Sequence, residues 1–123
     1  MSVLTADQAR AIAEDWIAAW NAHDLDQVMA HYADDLHFVS PLIVTRTGRA
    51  DGTITGKADL RAYFAPSLAP GSELRFDLLA VYAGVDSLTM IYRNHRGQEV
   101  AETKLLDASV RATRVVVCHR SAT

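Results

Sequence analysis

The chain has 123 residues, half of them hydrophobic, and carries a formal net charge of −3 at neutral pH. A chain of this length fits a single domain, residues 1–123, large enough to enclose one hydrophobic core. Its slight acidity and scattered basic residues exclude an electrostatic basis for binding nucleic acid or an anionic membrane, so we expect neither as a partner.

The pattern of cysteine and apolar residues predicts a cytoplasmic protein. The single cysteine, Cys118, follows three valines, so we expect it to be a small buried hydrophobe. No disulfide can form within the chain, which is typical of a reducing compartment. The N-terminal residues lack the features of a signal peptide, and no apolar run approaches the ~18 residues of a membrane span.

Two amphipathic helices are predicted at the start of the chain. Thr5 and Gln8 have the spacing of a capping box, which places the first helix at about residues 6–22. A second capping signal at Asp24 predicts a helix that ends near Ala33. Apolar residues recur at every fourth position of the first helix and form one stripe: Ile12, Trp16 and Trp20.

A β-prone strand and a long loop are predicted next. The strand spans Leu36 to Val44, and Pro41 makes it an edge strand or a bent one, because proline has no N–H to donate. Residues 45–55 contain two glycines and little that is apolar, which predicts a long loop at a rim. The charged side chains of this loop either lie in solvent, which the pattern favours, or meet an anionic substrate: Arg46, Arg49 and Asp51.

A third helix and four strands are predicted in the rest of the chain. The helix opens at residues 56–59 and ends at Pro70-Gly71. The apolar period then changes from helical to alternating, and residues 95–98 form a hairpin turn. This order indicates an α+β fold with three helices packed on a strongly curved, mostly antiparallel sheet. The strands are expected near residues 74–82, 88–94, 99–106 and 110–119.

Three stretches carry a resemblance to a known family: WIAAWNAHDLDQVMAHYADDLHFVSP, TGKADLRAYF and HRGQEVAETKLLD. With the final strand they cover nearly the whole chain, which resembles the nuclear transport factor 2-like, or SnoaL-like, proteins. Ketosteroid isomerases and polyketide cyclases belong to that group. The resemblance implies a cone-shaped α+β barrel whose helices close an apolar pocket for a small hydrophobic molecule. It fixes no single activity, because this fold hosts many chemistries.

We expect the side chains that line this pocket to be Trp16, Trp20, Tyr32, Phe38, Ser40, Tyr63, Phe64, Tyr82, Met90 and Tyr92. Two positions depart from the ketosteroid isomerase pattern. Ser40 stands where the resemblance places a proton-shuttling aspartate, and Trp16 stands where it places an oxyanion-binding tyrosine. A serine hydroxyl is a poor base without a neighbouring base, so we do not expect steroid isomerisation by that route.

Glu102 and His119 are the two candidates for a catalytic proton carrier. The resemblance places Glu102 where the family carries its second acid, and burial would raise its pKa. Strand alternation, however, puts Lys104 on the same face, which suggests a surface ion pair instead. His119 has an ordinary pKa near ~6.5 but lies at a strand end. The sequence leaves the choice between them open.

No metal and no cofactor is expected, because the histidines lie in different elements without ligand spacing: His23, His31, His37, His95 and His119. We expect a homodimer through the outer face of the sheet, since apolar residues occupy both faces at residues 78–79 and 115–117. The leading hypothesis is a cofactor-free isomerase, cyclase or dehydratase that acts on a small hydrophobic molecule. The alternative is a non-catalytic ligand-binding or assembly module.

Overall fold

The structure is a computed structural model that describes residues 3–121. Helix α1 spans Ala6–Asn21 and helix α2 spans Leu25–Met29. The predicted capping box is present: Thr5 Oγ1 accepts from the Gln8 N–H at 3.0 Å, and the Gln8 side chain accepts from the Thr5 N–H at 2.8 Å. The buried face of α1 points toward the sheet and includes both predicted tryptophans. Its residues are Ala9, Ala13, Trp16, Ile17, Ala19 and Trp20.

Strand β1 spans Tyr32–Val39 and begins before the predicted start at Leu36. Helix α2 is correspondingly shorter than predicted. The pairing of β1 is irregular between Tyr32 and His37, so the burial of this strand does not alternate. The resulting spacing of buried residues is close to that of a helix, which explains the error in the predicted boundary.

The prediction for residues 40–55 is wrong, because the chain forms helix α3, Pro41–Thr47, and strand β2, Thr53–Thr55. Ser40 Oγ accepts from the Leu42 N–H at 3.3 Å and caps α3. Pro41 occupies the first helical position, where a missing N–H costs no hydrogen bond. Gly48, with φ of 76°, ends the helix.

Helix α4 spans Lys57–Phe64 and continues as a 3₁₀ turn over Ala65–Leu68. The part of the chain that the structure describes therefore has four α-helices where three were predicted. The remaining strands are β3, Asp77–Ala83; β4, Ser87–Arg93; β5, Glu99–Leu106; and β6, Ala112–His119. Turn residues 94–98 join β4 to β5 as predicted.

The six strands form one curled sheet in the order β2-β1-β6-β5-β4-β3. All neighbours are antiparallel except β1 and β6, which are parallel. Irregular pairing occurs in three places, and such bulges bend a sheet locally. The helices cover the concave face, and the architecture is mixed α+β as predicted.

Two side chains lie on the outer face of the sheet, contrary to expectation. Tyr82 is 62% exposed. Strict alternation from Leu78 would place it inside, but the irregularity between Leu78 and Ala80 shifts the pattern by one residue, so Val81 pairs with the buried Met90. Cys118 is also exposed, because Val115 and Val117 take the inward positions of β6.

Candidate functional site

A cavity of about 400 Å³ opens between the helices and the concave face of the sheet. Its size lies within the range of ligand pockets in other proteins. The buried part of its lining is largely aromatic and aliphatic: Trp16, Trp20, Phe38, Ser40, Phe64, Tyr92, Val100, Glu102 and Val117. The exposed part, which we call the mouth, is polar and includes Arg46, Glu73, His95, Arg96 and Gln98.

Contacts between aromatic rings hold the wall of the cavity in place. Trp16 stacks on Phe76 with ring centroids 5.7 Å apart, and Trp20 meets Phe64 edge to face at 4.8 Å. Phe38 meets Phe64 in the same way at 5.3 Å. Such pairs add to the stability gained from burying the rings themselves. The wall is therefore formed by side chains that are already packed against one another.

Glu102 is the buried carboxylate of this wall. Alternation along β5 turns Val100, Glu102 and Lys104 to the concave face, and Glu102 is 1% exposed. The Tyr92 hydroxyl donates to Glu102 Oε1 at 3.0 Å. Glu102 Oε2 has no hydrogen-bond partner within residues 3–121. One oxygen thus accepts a hydrogen bond from Tyr92, and the other faces the Lys104 ammonium.

Lys104 lies behind Glu102 and outside the lining of the cavity. Its Nζ is 3.6 Å from Glu102 Oε2 and 4.0 Å from the centroid of the Trp16 ring. Both members of the ion pair are buried, so the surface pair suggested by the sequence is wrong. A cation over an indole ring is stabilised by the ring quadrupole, most strongly where water is excluded.

Burial and mutual attraction have opposite effects on this pair. Burial raises the pKa of Glu102, although the Lys104 ammonium and the Tyr92 hydroxyl act to lower it. Burial lowers the pKa of Lys104 to about 8, although the Glu102 carboxylate acts to raise it. Below that pH the ammonium is present and balances a carboxylate beside it.

The two tryptophans of α1 differ in the use of their N–H groups. Trp16 Nε1 donates to the Tyr32 hydroxyl at 3.0 Å, so this donor is occupied. Trp20 Nε1 is buried and has no partner in the described part of the chain, and its side chain lines the cavity. The donor available to a ligand is therefore that of Trp20.

His119 and Arg46 lie near one another at the cavity. His119, at the end of β6, lines it, and its Nε2 is buried without a partner among residues 3–121. Burial and the charge of Arg46 both lower the pKa of His119, so its imidazole is neutral near pH 7. Helix α3 brings Arg46 to the cavity, with its guanidinium 5.9 Å from the centroid of the Tyr63 ring.

Of the ten side chains expected to line the pocket, seven lie in the wall: Trp16, Trp20, Phe38, Ser40, Tyr63, Phe64 and Tyr92. The other three do not. Tyr32 and Met90 are fully buried in the core behind the wall, and Tyr82 is on the outer face. Ser40 is occupied in capping α3. Both candidate proton carriers, Glu102 and His119, line the cavity.

Several lining residues were missed. Val100 and Val117 share an inward face with Glu102 and His119, and alternation alone would have found them. Phe76 lies on the alternating apolar face predicted for residues 74–82, so the same signal applied to it as well. The turn residues 94–98 reach the mouth only because the sheet curls, a feature that local sequence patterns do not encode.

Neither a metal cluster nor a membrane span is found in the described residues. Between residues 3 and 121, no three His, Cys, Asp or Glu side chains lie in a metal-binding arrangement. Over the same range no helix is both long enough and apolar enough to cross a bilayer.

The curled sheet, the covering helices and the cavity between them define a cone-fold protein with an internal cavity. The chain belongs to the SnoaL-like domain family, whose sequence profile matches residues 13–120. It is similar to a SnoaL-like protein of unknown function from Burkholderia thailandensis, with 33% identity and a TM-score of 0.93. That alignment covers 98% of this chain and 100% of the other.

Two more distant structures share the fold alone. A nuclear transport factor 2-like protein of unknown function from Cytophaga hutchinsonii is 12% identical, with a TM-score of 0.71 over 91% of this chain and 89% of the other. A candidate ketosteroid isomerase from Kribbella flavida is 18% identical, with a TM-score of 0.69, and the alignment covers 95% of this chain and 81% of the other. No curated protein matches the sequence.

Proposed function

We propose that the cavity binds a small, largely apolar molecule and that Glu102 exchanges a proton with it, as in a cofactor-free isomerase, cyclase or dehydratase. The observation that carries this proposal is a carboxylate, 1% exposed, in an aromatic wall, with one oxygen held by Tyr92 and the other paired with Lys104 but without a hydrogen bond. Buried carboxyl groups with a raised pKa are typical of proton-transfer sites.

Lys104 determines which form of Glu102 is available near neutral pH. An ammonium 3.6 Å from Oε2 stabilises the carboxylate, so Glu102 acts first as a base. It takes a proton from a carbon beside a carbonyl group; the electron pair of the broken C–H bond forms a C=C bond, and the carbonyl π pair moves onto the oxygen. Returning the proton to another carbon, or to a leaving hydroxyl, gives an isomer or a dehydrated product.

Trp20 supplies the complementary donor. The negative charge that forms on the ligand oxygen needs a hydrogen bond within the apolar wall. The Trp20 N–H is buried and unpartnered, whereas the Trp16 N–H is held by Tyr32. In this proposal Trp20 therefore takes the role that the resemblance assigned to position 16.

Exchange of the α-hydrogens of 1-tetralone in D₂O, followed by NMR, tests the proposal without a known substrate. We expect the wild-type protein to accelerate exchange and Glu102→Gln to lose about 10²-fold or more of that acceleration. Glu73→Gln is the matched control, because Glu73 also lines the cavity but lies at its exposed mouth. Acceleration that survives Glu102→Gln would refute the role of Glu102.

The alternative function is binding without catalysis. It is supported by the Lys104 and Tyr92 contacts of Glu102, which account for a buried carboxylate on structural grounds alone. Titration calorimetry with 1-tetralone separates the two functions. Binding without accelerated exchange in the wild-type protein would favour the binding module.

We also propose that the protein is a homodimer formed through the outer face of the sheet. Apolar side chains on this side remain exposed in the single chain, among them Leu79, Tyr82 and Leu105. The helices cover only the concave face, so a second copy is the partner that would cover the other.

A further inference from the structure

We infer that the ligand of this cavity is a hydrophobic organic acid whose anionic group lies at the mouth, next to Arg46 and His119. This inference rests on the proposed function, because it assumes that the cavity is a binding site. To that function the inference adds the charge of the ligand and its orientation in the cavity. The apolar body would lie among the aromatic rings, and the anion would face the mouth.

Arg46 is a cation with no carboxylate partner within residues 3–121. Its guanidinium lies over the Tyr63 ring, 5.9 Å from the centroid, at the edge of the cavity. Five of the ten arginines within residues 3–121 pair with carboxylates, and Arg46 is not among them: Arg10, Arg61, Arg75, Arg111 and Arg120. A guanidinium beside a cavity and without a carboxylate partner can donate to an anionic ligand there.

The charges around the cavity favour an anion although the whole chain is acidic. The mouth carries Arg46 and Arg96 against one carboxylate, Glu73. Inside, the charge of Glu102 is balanced by Lys104. The mouth is therefore net positive on a chain whose formal net charge is −3. Surface acidity does not explain this local excess, whereas an anionic ligand group does.

His119 offers a second contact at the same place. Its Nε2 is buried, unpartnered in the described chain and part of the lining. It lies close enough to Arg46 for the two to interact electrostatically. An anion beside both groups would accept hydrogen bonds from the guanidinium and from the imidazole in its Nε2–H tautomer.

A matched pair of fluorescent probes tests this inference. 1-Anilinonaphthalene-8-sulfonate is anionic, and N-phenyl-1-naphthylamine is the same molecule without the sulfonate. The two tryptophans of the chain both line the cavity, so energy transfer from tryptophan to the probe reports binding at this site. We expect the wild-type protein to bind the sulfonate about tenfold more tightly than the neutral amine, the effect of one charge-assisted hydrogen bond.

Arg46→Gln should abolish this preference while leaving the affinity for the neutral probe unchanged. Arg49→Gln is the matched control, since Arg49 lies three residues further on but donates to the Thr53 carbonyl at 3.3 Å outside the lining. It should keep the preference. Thermal melts would verify that each variant is folded.

The outcomes distinguish this inference from the proposed function. Equal wild-type affinity for the two probes, or a preference that survives Arg46→Gln, would overturn the anionic ligand and leave the hydrophobic binding site intact. Failure of both probes to bind would count against both proposals.

Discussion

Glu102 and Lys104 stabilise the folded protein only as a pair. Each loses its hydration on burial, and the loss is offset by the other charge 3.6 Å away. The Tyr92 hydroxyl and the Trp16 ring add one further contact to each group. Removing one partner leaves an unbalanced charge in an apolar wall, which costs more than the pair contributes.

Lys104→Met should therefore destabilise the protein by about 3 kcal/mol near pH 7 and by less near pH 5. Burial already raises the pKa of Glu102, and the substitution removes the charge that lowers it. A carboxyl group with a raised pKa in the folded protein stabilises it below the unfolded value, and this stability is lost as the pH rises through the folded value. Urea denaturation at the two pH values measures the difference.

The only other lysine, Lys57, provides the control, since Lys57→Met removes a cation outside the buried pair. The double substitution Glu102→Gln with Lys104→Met should recover part of the lost stability. A deficit of equal size at both pH values would show that Lys104 acts through packing alone.

At single positions, the sequence predicted inward faces better than it predicted partners. Alternation correctly grouped Glu102 with Lys104. It failed for Tyr82, because one extra residue near Leu79 reverses the faces beyond it. The pairing of Trp16 with Tyr32 joins two elements, and no periodicity within either one reveals which donor is left free.

Helix α3 brings Arg46 to the cavity, and two glycines set its path. Both lie in the left-handed region, Gly48 with φ of 76° and Gly52 with φ of 61°. A methyl group on Gly52 would lie 3.0 Å from the Ser40 carbonyl oxygen, whereas Gly48 has no atom within 4 Å of that position. The two positions share the same backbone constraint and differ in packing.

Gly48→Ala should destabilise the protein by about 1 kcal/mol, the cost of a side chain in a left-handed conformation. Gly52→Ala should cost more, because relieving the contact with Ser40 also moves the start of α3. Urea denaturation gives the stabilities, and binding of 1-anilinonaphthalene-8-sulfonate reports the position of Arg46. Equal effects of the two substitutions would show that the Ser40 contact relaxes without cost.

At the level of elements, the prediction was correct where one signal dominated. The capping box placed the start of α1, and the period of two found β4 and β5. Residues 40–47 carry competing signals: Ser40 and Pro41 favour the start of a helix, while the apolar residues after them favour a strand. Tertiary packing of Ile43, which is fully buried, favours the helix.

At the scale of the whole molecule, the outer face of the sheet resembles an interface more than a solvent face. Thr89 and Thr103 hydrogen bond across β4 and β5 at 2.8 Å, and small or apolar residues surround them. Tyr82 projects from this face with most of its ring exposed. Aromatic residues are enriched at the centres of protein interfaces.

Tyr82→Asp should convert the expected dimer into a monomer. A carboxylate buried without a partner would weaken association by roughly 100-fold or more in Kd. Sedimentation velocity at micromolar concentration measures the change. Val110→Asp, at an exposed position in the turn between β5 and β6, should leave the dimer intact. A wild-type monomer at these concentrations would refute the dimer.

The parallel pairing of β1 with β6 affects how the chain folds during its synthesis as well as how the finished sheet is held together. Phe38 lies beside Val115 in the sheet, so residues 32–39 remain without this neighbour until residues 112–119 have left the ribosome. Closing so long a loop is slow and contributes to slow folding. A nascent chain that stalls before β6 is made would present Phe38 to the hydrophobic surfaces of other molecules.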